Sequence, residues 1–134
     1  MTEAGLPSPQ VYSLEGTDLA ITAISGDGSA VVRLSGELDL SNASRAEQAL
    51  VEELGPGART LIVDLRSLDF CDAAGLRAFA HTLRRAQEVG AKVRLVHPNR
   101  LVRRVLEIAE LGWLIDPGRP ELPGARGYLA SVNP

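Results

Sequence analysis

The chain of 134 residues is predicted to fold as one α/β domain: a mixed β-sheet, with an antiparallel N-terminal hairpin followed by parallel strands, covered by about three to four helices. Three observations carry this. Two strand-like runs flank Asp27-Gly28, two further short apolar runs lie at 60–65 and 92–97, and segments of helical periodicity separate them. Strands joined through a helix of ten or more residues pair in parallel, with right-handed crossovers.

Residues 1–16 contain Gly5, Pro7, Pro9 and Gly16 with little periodicity, and are read as an N-terminal extension. The domain is expected at 17–116, and the Pro- and Gly-containing residues 117–134 are read as a C-terminal tail. DLAITAIS (18–25) and AVVRLSG (30–36) are the hairpin strands, because Asp-Gly supplies the positive φ angles that a two-residue turn needs. Ser41, Asn42 and Ser44 offer capping side chains, and Ser44 with Glu47 has capping-box spacing. Ala46, Leu50 and Leu54 then recur every four residues until Gly55-Pro56-Gly57 ends the helix. TLIVDL (60–65) is nearly continuous in apolar residues, as in a strand buried on both faces. Asp72 is placed to cap the longest helix, with Leu76, Phe79, Leu83, Ala86 and Val89 as its inner stripe and Gly90 at its end. KVRLVH (92–97) is the next strand. Pro98 and Asn99 introduce a third helix, with Leu101, Val102, Val105, Leu106 and Ala109 inward, and Trp113-Leu114-Ile115 is read as a last short strand.

The net charge of −3 provides no global field for nucleic acid or an anionic membrane. That total conceals a division: residues 1–72 carry 4 basic and 12 acidic side chains, and residues 73–134 carry 10 basic and 5 acidic. Arg77, Arg84, Arg85, Arg94, Arg100, Arg103 and Arg104 lack the interleaved aromatics of a single-strand binder and are read as solvated helix faces. The start MTEAGLPSPQ has no basic segment followed by an apolar run, and no stretch approaches the roughly 18 apolar residues of a membrane helix. A single cysteine cannot form an internal disulfide. A cytoplasmic protein is expected, without direct nucleic-acid binding or membrane insertion.

In open α/β sheets, sites form at the carboxyl ends of the strands. Residues 36–42, 66–75 and 97–100 should converge there, with the 26–29 hairpin turn at the opposite end. Glu37, Asp39, Asp69, Cys71 and Asp72 would then share an acidic neighbourhood beside a helix N-terminus. Glu37, Asp39 and Asp72 could pair as acid and base or hold Mg²⁺, but no nucleophile, base or phosphate-gripping loop accompanies them, so capping and strand termination are their expected roles. His81 and His97 lack ligand spacing. No catalytic residue, metal site or cofactor is expected.

The segments SGELDLSNA, LIVDLRSLDFCDAAGL, KVRLVHPNRLVRRVLEIAEL and GWLI resemble the STAS domain, the fold of bacterial anti-sigma factor antagonists. The resemblance implies a non-enzymatic regulator of transcription. Its partner would be an anti-sigma factor of ATP-binding kinase fold, and binding would free an alternative sigma factor. In the family the kinase phosphorylates a serine at the start of the long helix, within Asp-Ser-Ser-Gly-Leu. This chain reads Asp72-Ala73-Ala74-Gly75-Leu76, so Ala74 stands at the acceptor position and cannot take phosphate.

By this resemblance the partner surface comprises Asp39, Leu40, Ser41, Asn42, Cys71, Asp72, Ala73, Ala74, Gly75 and Arg77. Ser67, Ser41, Ser44 and Thr82 are the nearest other hydroxyls, none at the matching position. Control could pass to expression, to the partner, or to Cys71, whose place near a helix N-terminus would suit a low-pKa redox thiol; the alternative for Cys71 is a buried strand-end residue. A second functional reading is a cytosolic accessory subunit of a membrane lipid-transport system, and a third is a small-molecule or nucleotide sensor using the same edge. Self-association is left open.

Overall fold

The computed structural model describes residues 10–14 and 16–115, apart from the side chains of Tyr12 and Ser13. The expected tail at 117–134 and the first nine residues of the expected extension lie outside the described residues. The elements run β1 (Gln10–Ser13), β2 (Leu19–Gly26), β3 (Ser29–Leu38), α1 (Ala43–Glu52), β4 (Thr60–Asp64), β5 (Leu68–Cys71), α2 (Ala73–Val89), β6 (Lys92–Val96) and α3 (Arg100–Ile108). A 3₁₀ turn at Gly112–Leu114 follows.

Asp27 and Gly28, at φ 55° and 80°, close β2 onto β3 with Gly26 opposite Ser29. This is the expected hairpin. The sheet order is β1-β2-β3-β4-β6, antiparallel through β3 and parallel from β3 to β6. Two strands exceed the sequence reading. β1 adds an antiparallel edge within residues 1–16, and β5 occupies part of 66–75, where the sequence predicts a loop. β5 pairs in parallel with β3 beyond the end of β4, across an irregularity between Gly36 and Glu37. Gly36 makes that bend: its φ is 108°, and a Cβ there would lie 1.9 Å from the Asp18 carbonyl oxygen. Only glycine suits both conditions.

One face of the sheet carries the main core. Ile21, Leu34, Leu38, Leu61, Val63 and Leu95 pack there with Leu50 of α1, Phe79 of α2 and Leu106 of α3. Burying such side chains stabilises each site by about 1.5–3 kcal/mol. Strand alternation sends Val31, Arg33, Ile62 and Asp64 to the other face. There the fully buried Asp64 carboxylate meets Arg33 at 3.2 Å and also accepts the Arg66 amide at 3.0 Å.

The helices start and end near their expected positions, but their buried faces differ. α1 begins after Asn42, ahead of Ser44, and the Ser44–Glu47 capping box does not form. Glu47 instead meets Nδ1 of His81 on α2 at 2.9 Å. α2 buries Ala74, Gly75, Ala78, Phe79, Thr82 and Ala86, while Leu76, Leu83 and Val89 are only partly covered. Small side chains there let α2 approach α1 and the sheet closely, which displaces the stripe from its largest residues. α3 buries Val102 and Leu106 but exposes Leu101 and Ala109. Residues 113–115 form no strand; only Ile115 bridges Leu95 in parallel, after the 3₁₀ turn. Among the described residues, no helix is long and apolar enough to cross a membrane.

Candidate functional site

The three loops meet at the carboxyl ends of the parallel strands. The Gly36 amide donates to the Ser67 carbonyl at 3.0 Å, the Leu40 amide to Asp72 Oδ2 at 3.2 Å, and Asn99 Nδ2 to the Leu68 carbonyl at 3.1 Å. At the opposite end, the Arg59 amide donates to the Gly28 carbonyl at 2.7 Å, which places the hairpin turn away from the site.

Asp72 organises the edge. It is the N-cap of α2, where its Oδ1 accepts the Gly75 amide at 3.0 Å, as the sequence indicates. Its backbone amide donates to the Leu38 carbonyl at 3.1 Å, continuing the β3–β5 pairing. Gly75 lies in the first turn because nothing larger fits: a Cβ would sit 2.6 Å from Cys71 Sγ and 2.8 Å from Leu38 Cγ. The 39–42 loop is held from within. Asp39 Oδ1 accepts from the Ser41 amide at 2.9 Å and from Ser41 Oγ at 2.5 Å. Asn42 Oδ1 accepts the Asp39 amide at 3.0 Å while its Nδ2 donates to the Glu37 carbonyl at 2.8 Å. The buried Asn42 therefore ties the strand end to the helix start.

The ten residues expected to bind a partner divide by burial. Leu40, Ser41, Ala73 and Arg77 are exposed, and Asp39 and Asp72 are half-buried. Asn42, Cys71, Ala74 and Gly75 are buried, so they shape the surface from beneath rather than touch a partner through their side chains. Glu37 and Asp69 are exposed at the same edge. Asp39 and Asp72 accept local backbone amides, and among the described residues no group of three or more His, Cys, Asp or Glu side chains could hold a metal.

The redox expectation for Cys71 is corrected. The side chain is buried, and burial first and the neighbouring Asp72 charge second push its thiol up to about 12. A sensor thiol needs the opposite, an accessible group that ionises near neutrality. The alternative hydroxyls are placed as follows. Thr82 is buried and donates to the Ala78 carbonyl at 2.7 Å, Ser41 donates to Asp39, Ser44 is exposed on α1, and Ser67 is half-buried ahead of β5. His81 is exposed, and His97 is half-buried with a φ of 57°.

Two exposed apolar residues escaped the sequence reading. Phe70 pairs with Glu37 across β3 and β5 and keeps 38% exposure, and Leu101 keeps 51%. With Leu40 at 77%, they give an otherwise polar edge three apolar side chains. The available signal was Phe70 between Asp69 and Cys71, in a stretch too short for a periodicity to show which way it points. An exposed apolar group within a polar surround suits a protein partner better than a small substrate.

Comparison with known proteins agrees with this architecture. Residues 22–116 match the family described as "Mlab, STAS domain". Among curated relatives, anti-sigma-F factor antagonist RsfB of Mycobacterium tuberculosis is 29% identical over 76 residues, which are 57% of this chain. The chain spans 60% of the length of that relative. Among solved structures, an anti-sigma factor antagonist from Mycobacterium paratuberculosis superposes with a TM-score of 0.66 at 24% identity, covering 92% of this chain and 100% of the other. The anti-sigma factor antagonist SpoIIAA in its unphosphorylated form superposes with a TM-score of 0.65 at 19% identity, covering 95% and 98%. These two likenesses show the fold. With a mixed six-stranded sheet and three helices among the described residues and a family match over most of its length, the chain belongs to the STAS domain family.

Proposed function

We propose that this protein is a non-enzymatic, cytoplasmic anti-sigma factor antagonist that docks an anti-sigma factor of ATP-binding kinase fold and so promotes release of an alternative sigma factor. The domain responsible is 17–116 together with β1 of the preceding extension, which supplies the edge strand of its sheet, and the tail follows. The contact surface is the carboxyl edge: Leu40, Ser41, Ala73 and Arg77 touch the partner, and Asp39, Asn42, Cys71, Asp72, Ala74 and Gly75 set its shape. The observation that carries this reading is the first turn of α2. Its capping geometry is complete, with Asp72 on the Gly75 amide, yet Ala73 and Ala74 supply no hydroxyl.

The missing hydroxyl has a mechanistic consequence. A phosphate at a helix N-terminus adds about −1.5 to −2 charges, which the helix dipole tolerates while a docking surface is altered. Ala74 keeps the surface in an uncharged state that the partner's kinase activity cannot change. Binding is therefore constitutive, and control lies with the amounts of the two proteins.

Affinity capture from a lysate of the source bacterium tests this with the wild type and Ala74→Glu. The reading expects an anti-sigma factor with the wild type and none with the variant. Recovery of membrane-transporter components by the wild type would overturn it in favour of an accessory transport subunit.

A further inference from the structure

We propose that the docking surface extends from the carboxyl edge along the outer side of α3, and that this extension receives an acidic, amphipathic helix of the same anti-sigma factor. The inference rests on the preceding reading for the partner's identity and on α3 for everything else. At 100° per residue, Leu101 and Ile108 lie on one line of the helix, with Arg104 almost between them and Val105 at its inner margin. Leu101 is 51% and Ile108 72% exposed, although the core needs only Val102 and Leu106 from this helix. Seven residues of helix put about 10 Å between Leu101 and Ile108. That spacing suits a helix that reads anchors at i and i+7.

Charge identifies the occupant. Arg104 and then Arg100 border this line on its solvent side, Arg103 lies on the opposite flank of the helix, and among the described residues none of the three has a hydrogen bond or ion pair through its side chain. Glu107, one turn on from Arg103 and Arg104, leaves a surplus of two positive charges over the whole solvent face of the helix and of one beside the line. Exposed Leu and Ile beside unmatched arginines complement a segment with apolar side chains on one side and carboxylates on its flank. The start of α3 joins the carboxyl edge directly: Asn99 caps the helix through Oδ1 on the Val102 amide at 2.8 Å and reaches β5 through Nδ2.

The test measures affinity for the captured anti-sigma factor by titration calorimetry at low and moderate salt. It compares the wild type, Arg100→Glu/Arg104→Glu, Leu101→Gln/Ile108→Gln and Leu40→Asp, with thermal unfolding as a folding control. These side chains are all exposed, so the variants should fold. The charge-reversal pair should bind at least tenfold more weakly with a shallower salt dependence, and the glutamine pair about tenfold more weakly with the salt dependence kept. If both α3 variants bind as the wild type does while Leu40→Asp fails, the α3 inference falls and the edge reading stands. If the wild type binds no anti-sigma factor, both fall. Two further outcomes would also overturn the inference: sedimentation of the wild type with phosphatidylglycerol vesicles, lost in the charge-reversal pair, or self-association lost in the same variants.

Discussion

The carboxylate of Asp72 holds the backbone amide of Leu40 at 3.2 Å, joining two loops that lie 32 residues apart in the chain. Its second oxygen caps α2 on the Gly75 amide. One side chain thus sets both the helix start and the loop that carries the most exposed apolar residue of the edge. Asp72→Ala should destabilise the fold by about 0.5–2 kcal/mol through the lost cap. It should also accelerate hydrogen exchange at the Leu40 amide, whereas Asp72→Asn, which can still cap, should recover most of the stability. Unchanged exchange at Leu40 in Asp72→Ala would show that the loop is held by other contacts.

Close packing beneath the first turn of α2 makes Gly75 sensitive to one added methyl. Gly75→Ala brings a Cβ within 2.6 Å of Cys71 Sγ and 2.8 Å of Leu38 Cγ. Overpacking of this kind costs about 1–3 kcal/mol. In a Cys71→Ala background the same substitution should cost less, because one of the two clashing atoms is gone. Urea unfolding of the four proteins in the cycle measures the coupling; additive effects would contradict this geometry.

On the other face of the sheet, removing Arg33 strands a buried carboxylate. Arg33→Ala should cost about 3 kcal/mol, the low end for breaking a buried pair, since the Arg33 side chain retains 20% exposure. Replacing both partners, by Arg33→Met with Asp64→Leu, should cost much less than Arg33→Ala alone. A double variant as unstable as the single one would place the stability in the Arg66 amide contact to Asp64 instead.

Cys71 has a pH signature. Its thiol ionises at about 12 in the folded protein and near 9 when nothing perturbs it, so the folded state holds the proton longer than the unfolded state does. The resulting stability is fully present below about pH 9 and is lost as pH rises from there towards 12. Cys71→Ala should flatten that alkaline decline. Alkylation of the native protein by iodoacetamide should stay slow across the neutral to mildly alkaline range and become fast in denaturant. Fast native labelling with an inflection near neutral pH would restore the redox role.

Much of this architecture is legible from local chemistry. Asp27-Gly28 dictates the hairpin, Asp72 and Gly90 bound α2, and the TLIVD run marks a strand buried on both faces. β5 is not legible, because four residues with buried ends and an exposed centre carry no period, and their pairing depends on a bend at Gly36. The inner faces of α2 and α3 depart from the apolar stripes for a related reason. Periodicity finds the largest apolar residues, whereas close helix packing selects Ala78, Thr82 and Ala86, and leaves Leu101 outside. At the site, loop convergence follows from the crossover rule, but which side chains reach solvent does not. Asn42 and Leu40 are two residues apart, and one is buried while the other is the most exposed apolar residue of the edge.

The proposed complex with an anti-sigma factor is constitutive, one that the partner's kinase activity cannot dissolve. Calorimetric titration of the captured anti-sigma factor with the wild type and Ala74→Ser, each before and after incubation with magnesium and ATP, tests it most directly. The wild type should bind equally in both conditions, and Ala74→Ser should gain phosphate and lose affinity. Phosphate on the wild type with loss of binding would contradict it.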